Sequence, residues 1–242
     1  MTATLDIADP RTADTDVAPR RSAGDISARL AGLGAIGFAT TVIAQNLIRG
    51  AGAPANDASG AEILTHYADH RTMTTVLVAS YALGIVSILV FLGGSATRLV
   101  RSDRPGWAVT GLLGAAGVTA LFAVVVGCEQ ALSVAATRDL TGLGAIDALW
   151  SLHNSVFAVL DASIALALVG LSRAGISAGI TPRPFRWLAP VGAGMLVVGT
   201  LAGPAIAAGD AMPLFGVAGL GFVVWLSFLI TTGVRLVRGI EA

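Results

Sequence analysis

The chain has 242 residues, of which 55% are hydrophobic and only 12% are charged. Soluble domains carry about a quarter charged residues because a surface that faces water needs charge, so this composition indicates an integral membrane protein. The net charge of zero gives no electrostatic reason to expect a nucleic-acid partner. The one cysteine, Cys128, excludes an intrachain disulfide and a CxxC zinc or redox site.

The predicted elements begin with a polar N-terminal segment. Residues 1–27 contain five Asp and no apolar period, which is typical of a disordered tail. The Arg20-Arg21 pair before an apolar run, with Ala53-Pro54-Ala55 after it, also fits a signal peptide that is removed, which would leave five spans. The apolar run from Ile26 to Ile48 is longer than a typical signal core, so we expect the first helix to be retained.

Long stretches without charge predict six transmembrane helices. Five gaps between charged residues hold about 19 to 26 mostly apolar residues, and a bilayer core needs about 20 in a helix. A sixth stretch is equally apolar but is interrupted by Asp161. Backbone groups in lipid must be hydrogen-bonded within their own segment, so these stretches are helices. The predicted fold is an all-α, polytopic transmembrane bundle with helices at about 28–48, 73–96, 107–128, 150–171, 187–208 and 214–235.

The arginines predict the orientation. All fifteen basic residues are Arg, and twelve of them fall in segments that are cytoplasmic if the N-terminus is inside. The other three, Arg49, Arg71 and Arg138, fall outside, which is a strong positive-inside bias. We therefore expect both termini in the cytoplasm, with residues 237–242 as a C-terminal tail. Arg in place of Lys, together with abundant Ala and Gly, indicates a GC-rich bacterial genome and hence a bacterial plasma membrane.

Asp161 is the costliest residue of the predicted bundle, because it lies near the centre of the fourth helix. An ionised carboxylate at that depth costs about 2.5–3.5 kcal/mol or more, so it must face protein or a cavity, or be protonated. Asn154 and Asp147 precede it at intervals of seven residues and share its helix face. This face predicts either a proton or cation site that opens to the outside, or a structural hydrogen bond between helices.

Polar side chains also collect at the predicted outer edge. With a rise of about 1.5 Å per residue, Glu129, His153 and Asn46 all lie near the outer ends of their helices. Gln130 and Asn154 lie beside them. Helix ends account for such a layer in any membrane protein, and the alternative is the mouth of a ligand-binding pocket.

The first predicted outer loop contains a short amphipathic helix at about 60–71. Ile63, Leu64 and Tyr67 share its apolar side. This side fits two positions, on the membrane surface or on the bundle.

The polar side of the same helix carries His66 and His70 at i and i+4, with Glu62 one turn earlier. This spacing can chelate one metal ion, and zinc is the metal we consider. The topology places His153 in the same compartment. HxxxH without a catalytic Glu between the histidines is a weak motif, so a solvated polar face is the alternative.

Three segments of the sequence resemble segments of other membrane proteins. NDASGAEILTHYADHR at Asn56–Arg71 and LWSLHNSVFA at Leu149–Ala158 resemble segments of small bacterial membrane proteins without a characterised activity. PFRWL at Pro184–Leu188, with Gly192 and Gly194 after it, is similar to a family of domains of unknown function with the same layout. The resemblance covers most of 28–236; it implies a six-helix bundle and assigns no catalytic residue.

No phosphate-binding loop, GxSxG elbow, HExxH or kinase signature is present in the sequence. The sequence therefore predicts a non-enzymatic bundle without a cofactor that binds membrane lipid, a partner membrane protein, a second copy of itself or a small ligand. One alternative is a small proton- or cation-coupled transporter that uses Asp161. The other is an outer-facing metal-binding protein or metalloenzyme that uses His66, His70 and His153.

Overall fold

The computed structural model describes residues 23–50, 52–138, 142–207 and 210–239, and that part of the chain is all-helical. Six of its helices are long and apolar enough to cross a membrane, which confirms the predicted fold class. A seventh, short helix lies between the first two of them. The helices are α1 (Ala23–Gly50), α2 (Gly60–Asp69), α3 (Arg71–Val100), α4 (Pro105–Thr137), α5 (Leu143–Ser177), α6 (Phe185–Ala207) and α7 (Met212–Arg238).

The long helices extend beyond their predicted boundaries. α1 begins at Ala23, within the predicted tail, and the rest of that tail, residues 1–22, lies outside the described residues. α4 continues to Thr137 and α5 already begins at Leu143. The sequence predicts Glu129 and His153 near helix ends, but both are buried inside α4 and α5 because their side chains meet within the bundle. At the other terminus α7 ends at Arg238, and residues 240–242 are outside the described part.

The six long helices form a closed ring in the order α1, α3, α4, α5, α6, α7. α2 and its flanking loop join α1 to α3, and short connections join the other consecutive helices, so helices that follow one another are antiparallel neighbours. The ring has two ends. We call the end that carries α2 and the start of α5 the capped end, and the end that carries the Arg101–Arg104 turn and the C-terminus of α7 the arginine end.

Small residues bring the helix backbones together. A Cβ atom at Gly111 of α4 would meet the backbone of Gly170 in α5, so only glycine fits at this crossing. Gly199 and Gly203 form a GxxxG spacing in α6. Gly199 faces Ala218 of α7 and Gly203 faces α5, so this motif packs inside the monomer.

α2 lies on the bundle rather than along the membrane surface. Its apolar side buries Ile63, which is 0% exposed, and Tyr67. These side chains pack in one cluster with Leu132 of α4 and Trp150 of α5. Ser59 caps the helix, since its hydroxyl accepts from the backbone N–H of Glu62 while the Glu62 carboxylate accepts from the backbone N–H of Ser59. α2 is therefore a fixed cap over the α4–α5 side of the ring.

Candidate functional site

A bidentate ion pair connects α1 to α4 at the capped end. Nε of Arg49 donates to Oε1 of Glu129 and Nη2 donates to Oε2, both at 2.8 Å. Glu129 is only 4% exposed. Parallel N–H···O bonds between a guanidinium and a carboxylate are among the strongest hydrogen bonds in proteins, and burial strengthens them further.

His153 of α5 completes the charged cluster. Its Nε2 lies 3.5 Å from Oε1 of Glu129, and its Nδ1 lies 3.0 Å from Oδ1 of Asn154. Nδ2 of Asn154 donates to the backbone carbonyl of Asn56 at 3.2 Å, and this contact sets the orientation of the amide. Since Oδ1 can only accept, Nδ1 of His153 must carry a hydrogen, and Nε2 is the nitrogen that gains or loses a proton.

Aromatic rings enclose this cluster. The Trp150 indole stacks on the His153 ring with a centroid distance of 4.7 Å and an interplanar angle of 8°. Its Nε1–H donates to the carbonyl of Ala55 at 3.1 Å, which holds the 52–59 loop against α5. The guanidinium carbon of Arg49 lies 5.8 Å from the centre of the Phe122 ring. Aromatic rings therefore cover both His153 and Arg49.

A cavity of about 50 Å³ lies between α2 and the charged cluster. Two of its lining residues, Arg49 and His153, each have a buried nitrogen, Nη1 and Nε2, without a hydrogen-bond partner among the described residues. Buried polar atoms without a partner are uncommon and call for an occupant. A water needs about 10–15 Å³ of such space, so the cavity has room for a few heavy atoms. Its principal lining residues are Arg49, His66, Tyr67, Glu129, Trp150 and His153.

The two α2 side chains on the cavity are neutral at pH 7. Burial raises the pKa of the Tyr67 phenol, and the Glu129 charge raises it further, while Arg49 opposes both effects. The phenol therefore keeps its proton and is a hydrogen-bond donor. Burial also lowers the pKa of His66, as does the charge of His70, whereas Asp69 raises it.

The structure brings together only some of the residues that the sequence predicts as a site. Glu129 and His153 are in contact, and Asn154 orients His153. Gln130 and Asn46 are exposed, and the Asn46 amide donates to the carbonyl of Val42 within α1.

Asp161 lies apart from this cluster. Its half-buried carboxylate faces α6, where a Cβ atom at Gly199 would lie 2.9 Å from Oδ2. Asp147, on the same face of α5, is exposed and lies against Gly60 of α2. Asn154 contacts the 52–59 loop. The three polar residues of this face therefore have three different sets of neighbours and do not form one site.

The predicted metal ligands of α2 have other contacts. Glu62 accepts hydrogen bonds from Ser59, and the rings of His66 and His70 stack with centroids 4.4 Å apart. His66 lines the same cavity as His153, whereas His70 is exposed. Within the described residues no three His, Cys, Asp or Glu side chains are grouped as ligands of one metal ion. The zinc hypothesis stays a prediction.

Sequence reasoning missed three parts of the site: Arg49, Tyr67 and Trp150. Arg49 ends the first charge-free run, and this position by itself indicates only the orientation of the chain. Arg49 and Glu129 both lie about one to two turns from the same predicted membrane edge. Opposite charges at the same depth of two helices are the sequence signal that predicts such an ion pair.

No family model, curated protein or solved structure matches this chain. The resemblance carried by Asn56–Arg71 and Leu149–Ala158 stays a prediction.

Proposed function

We propose that this chain is a multi-pass protein of a bacterial plasma membrane, with both termini cytoplasmic, and that it binds a small polar ligand in the cavity beneath α2. The six apolar helices and the twelve-to-three distribution of arginines support this placement. The cavity then faces the outer side of the membrane.

The observation that carries the proposal is the unpartnered Nη1 of Arg49 beside the cavity. The other two donor groups of this guanidinium are held by Glu129, so the charge is fixed in place before any ligand arrives. A buried donor without an acceptor costs about 1–3 kcal/mol, and a ligand that supplies the acceptor recovers this free energy. Preorganised donors of this kind favour binding because little side-chain conformational entropy is lost when the ligand binds.

The arrangement supports recognition better than catalysis. Both oxygens of Glu129 accept hydrogen bonds from Arg49, so its carboxylate is held away from the role of a free base or nucleophile. α2 covers the cavity and supplies Tyr67 and His66 to its wall. These features describe a lined, covered recess with a few placed polar groups, which is typical of ligand sites.

Ligand-dependent thermal stabilisation of the purified protein tests the proposal. The probes are sodium formate, sodium chloride, acetamide, ethanol and methylammonium, so that anionic, neutral and cationic ligands are compared. A ligand at about 100 times its Kd stabilises the folded state by about 2.7 kcal/mol. For a chain of this size that shifts the apparent Tm by several degrees, since 1 kcal/mol corresponds to about 2–4 °C.

Tyr67→Phe is the test variant, because it removes the hydroxyl at the cavity and keeps the ring in the α2 packing. Tyr81→Phe is the matched control, since the Tyr81 hydroxyl donates to the carbonyl of Thr119 inside the bundle. We expect the stabilisation to fall in Tyr67→Phe and to persist in Tyr81→Phe. If no probe stabilises the wild-type protein, the binding proposal is wrong.

The orientation is tested with single cysteines in a Cys128→Ala background. Thr65 lies on the exposed side of α2 and Asp103 is exposed in the turn at the arginine end. A membrane-impermeant maleimide is expected to label Thr65→Cys in intact cells and Asp103→Cys only after permeabilisation. The reverse pattern would place the termini outside.

A second candidate function is a proton- or cation-coupled transporter that uses Asp161. Its support is a half-buried carboxylate in the middle of α5 that makes no hydrogen bond or ion pair with the described residues. Such a group is characteristic of ion pathways in membrane proteins. This candidate predicts that reconstituted vesicles acidify internally with the wild-type chain and not with Asp161→Asn.

A further inference from the structure

We infer that the cavity beneath α2 binds a small monovalent anion, of the size of chloride or formate, and that His153 takes up one proton when the anion enters. This inference rests on the proposed binding function and names the class of its ligand.

Two of the polar residues around the cavity, Arg49 and Tyr67, present donors, and the unpartnered Nε2 of His153 becomes a third donor when it is protonated. Nη1 of Arg49 has no acceptor, and the Tyr67 hydroxyl makes no hydrogen bond to the described residues. A guanidinium presents its donors on separate edges, and the Glu129 carboxylate occupies the edge formed by Nε and Nη2. Nη1 lies on the side of the guanidinium away from that edge. An acceptor that binds Nη1 is therefore separated from the Glu129 carboxylate by the guanidinium itself. An anion is the acceptor that this charged donor favours most.

Charge balance requires a proton. Arg49 and Glu129 neutralise each other, so an anion that enters the cavity adds an uncompensated negative charge. Such a charge is costly in a water-excluded site, because Coulomb interactions there are several-fold stronger than in water. A proton on Nε2 of His153, 3.5 Å from Oε1 of Glu129, turns the neutral pair into a cluster with one net positive charge.

The other titratable groups near His153 do not supply this charge. From α2 come Tyr67, whose pKa burial raises, and His66, whose pKa burial lowers, so both favour the neutral form. From α4 come Glu129 and Cys128, and from α1 comes Arg49. A cysteine changes only between neutral and negative forms, so it cannot become a cation. The lining residues of α3 are Met73, Thr74 and Leu77, none of which titrates.

The size of the cavity selects the ligand. About 50 Å³ admits a few heavy atoms, so a halide, nitrate or formate fits, whereas a phosphate ester or an amino acid requires α2 to move. The Trp150 indole and the Leu77 side chain form apolar parts of the wall, which favour a weakly hydrated ion.

Isothermal titration calorimetry with sodium formate and sodium chloride tests the inference on the purified full chain. Titrations at about pH 8, in two buffers of different ionisation enthalpy, give the number of protons taken up per anion. We expect close to one proton per anion, and we expect the affinity to fall as the pH rises.

Arg49→Lys keeps the positive charge for Glu129 and removes the second donor edge. We expect the anion to bind at least about tenfold more weakly, which corresponds to one hydrogen bond to a charged group. Arg29→Lys, an exposed site of the same helix, is the matched control and keeps wild-type affinity. His153→Gln is expected to remove the proton uptake, while the exposed His70→Gln retains it.

Each outcome decides a different step. Anion binding without proton uptake by the wild-type chain overturns the role of His153. Stabilisation by acetamide without binding of either anion overturns the anion and leaves the proposed binding function in place. Wild-type affinity in Arg49→Lys overturns Nη1 as the anion contact. The proton count uses the wild-type chain alone, so it stays decisive even if a variant fails to fold.

Discussion

The guanidinium of Arg49 and the carboxylate of Glu129 join two helices, α1 and α4, that are not neighbours in the ring and make no backbone contact. Two hydrogen bonds of 2.8 Å bridge the gap between them across the top of α3. The pair therefore fixes the distance between α1 and α4 at the capped end.

Removal of Glu129 should destabilise the bundle. Glu129→Ala leaves the Arg49 cation buried and unpaired, which costs about 3–5 kcal/mol for a buried ion pair. Unfolding in mixed detergent micelles measures this loss, and Asp103→Ala, at an exposed carboxylate in the turn at the arginine end, is the control. The double variant Arg49→Leu/Glu129→Leu removes both charges and should recover most of the stability. A loss below about 1 kcal/mol in Glu129→Ala would mean that the pair is effectively solvated.

The six spans were predictable because lipid imposes a strong constraint on sequence, namely about 20 residues without charge. The helix ends were harder to predict, and the region around Glu129 shows why. A glutamate after an apolar run is usually a boundary, but here Arg49 and His153 satisfy its charge inside the bundle, so α4 continues to Thr137.

The pairing of Arg49 with Glu129 could not be predicted from the sequence. It depends on the rotation of α1 and α4 about their axes, which the packing of Gly and Ala contacts sets in three dimensions. The position of α2 was likewise undetermined, because one apolar face suits both the membrane surface and the bundle. The packing of Leu132 and Trp150 against Ile63 places α2 on the bundle.

Truncation of Ile63 should loosen the cap. Ile63 is fully buried between α2 and the bundle, and Ile→Ala substitutions at such sites cost about 2–5 kcal/mol. Hydrogen exchange measured by mass spectrometry should therefore accelerate over Gly60–Asp69 in Ile63→Ala. Thr65→Ala, on the exposed side of the same helix, should exchange as the wild type does. Unchanged exchange in Ile63→Ala would mean that α2 is held by its capping box and connections alone.

Asn154 should control both the 52–59 loop and the His153 ring. Asn154→Leu removes the donor to the Asn56 carbonyl and the acceptor for Nδ1 of His153. We expect faster hydrogen exchange in the loop and a split or shifted His153 signal in the imidazole region of the NMR spectrum. Asn154→Asp keeps an acceptor for His153 and loses the donor to Asn56, so it should loosen the loop while it preserves the ring orientation. Equal effects of both variants would contradict separate roles for the two ends of the amide.

Acid should destabilise the α2 cap through His66. Burial and the charge of His70 lower its pKa in the folded chain below the usual value of about 6.5. Between these two pKa values the unfolded chain binds more protons than the folded chain. The contribution of His66 to the free energy of unfolding is therefore fully present above about pH 6.5, and it is lost as the pH falls toward the pKa of the folded chain. The apparent Tm, measured against pH, should show this loss in the wild type and a smaller one in His66→Gln. Asp69→Asn removes a charge that raises the pKa, so it should deepen the loss.

Asp161→Asn separates a structural carboxyl from a functional one. The side chain lies between α5 and α6 against Gly199 and makes no hydrogen bond or ion pair with the described residues. Asparagine has the same shape and no charge to bury, so we expect the free energy of unfolding to change by less than about 1 kcal/mol. Formate binding should also be unchanged, because Asp161 lies two turns from His153 along α5 and faces a different helix.

A stability loss of about 3 kcal/mol in Asp161→Asn would instead indicate a buried charge pair that the carboxylate completes. Retained stability with loss of proton uptake into vesicles would make Asp161 a transport residue, and the chain a carrier rather than a binding protein.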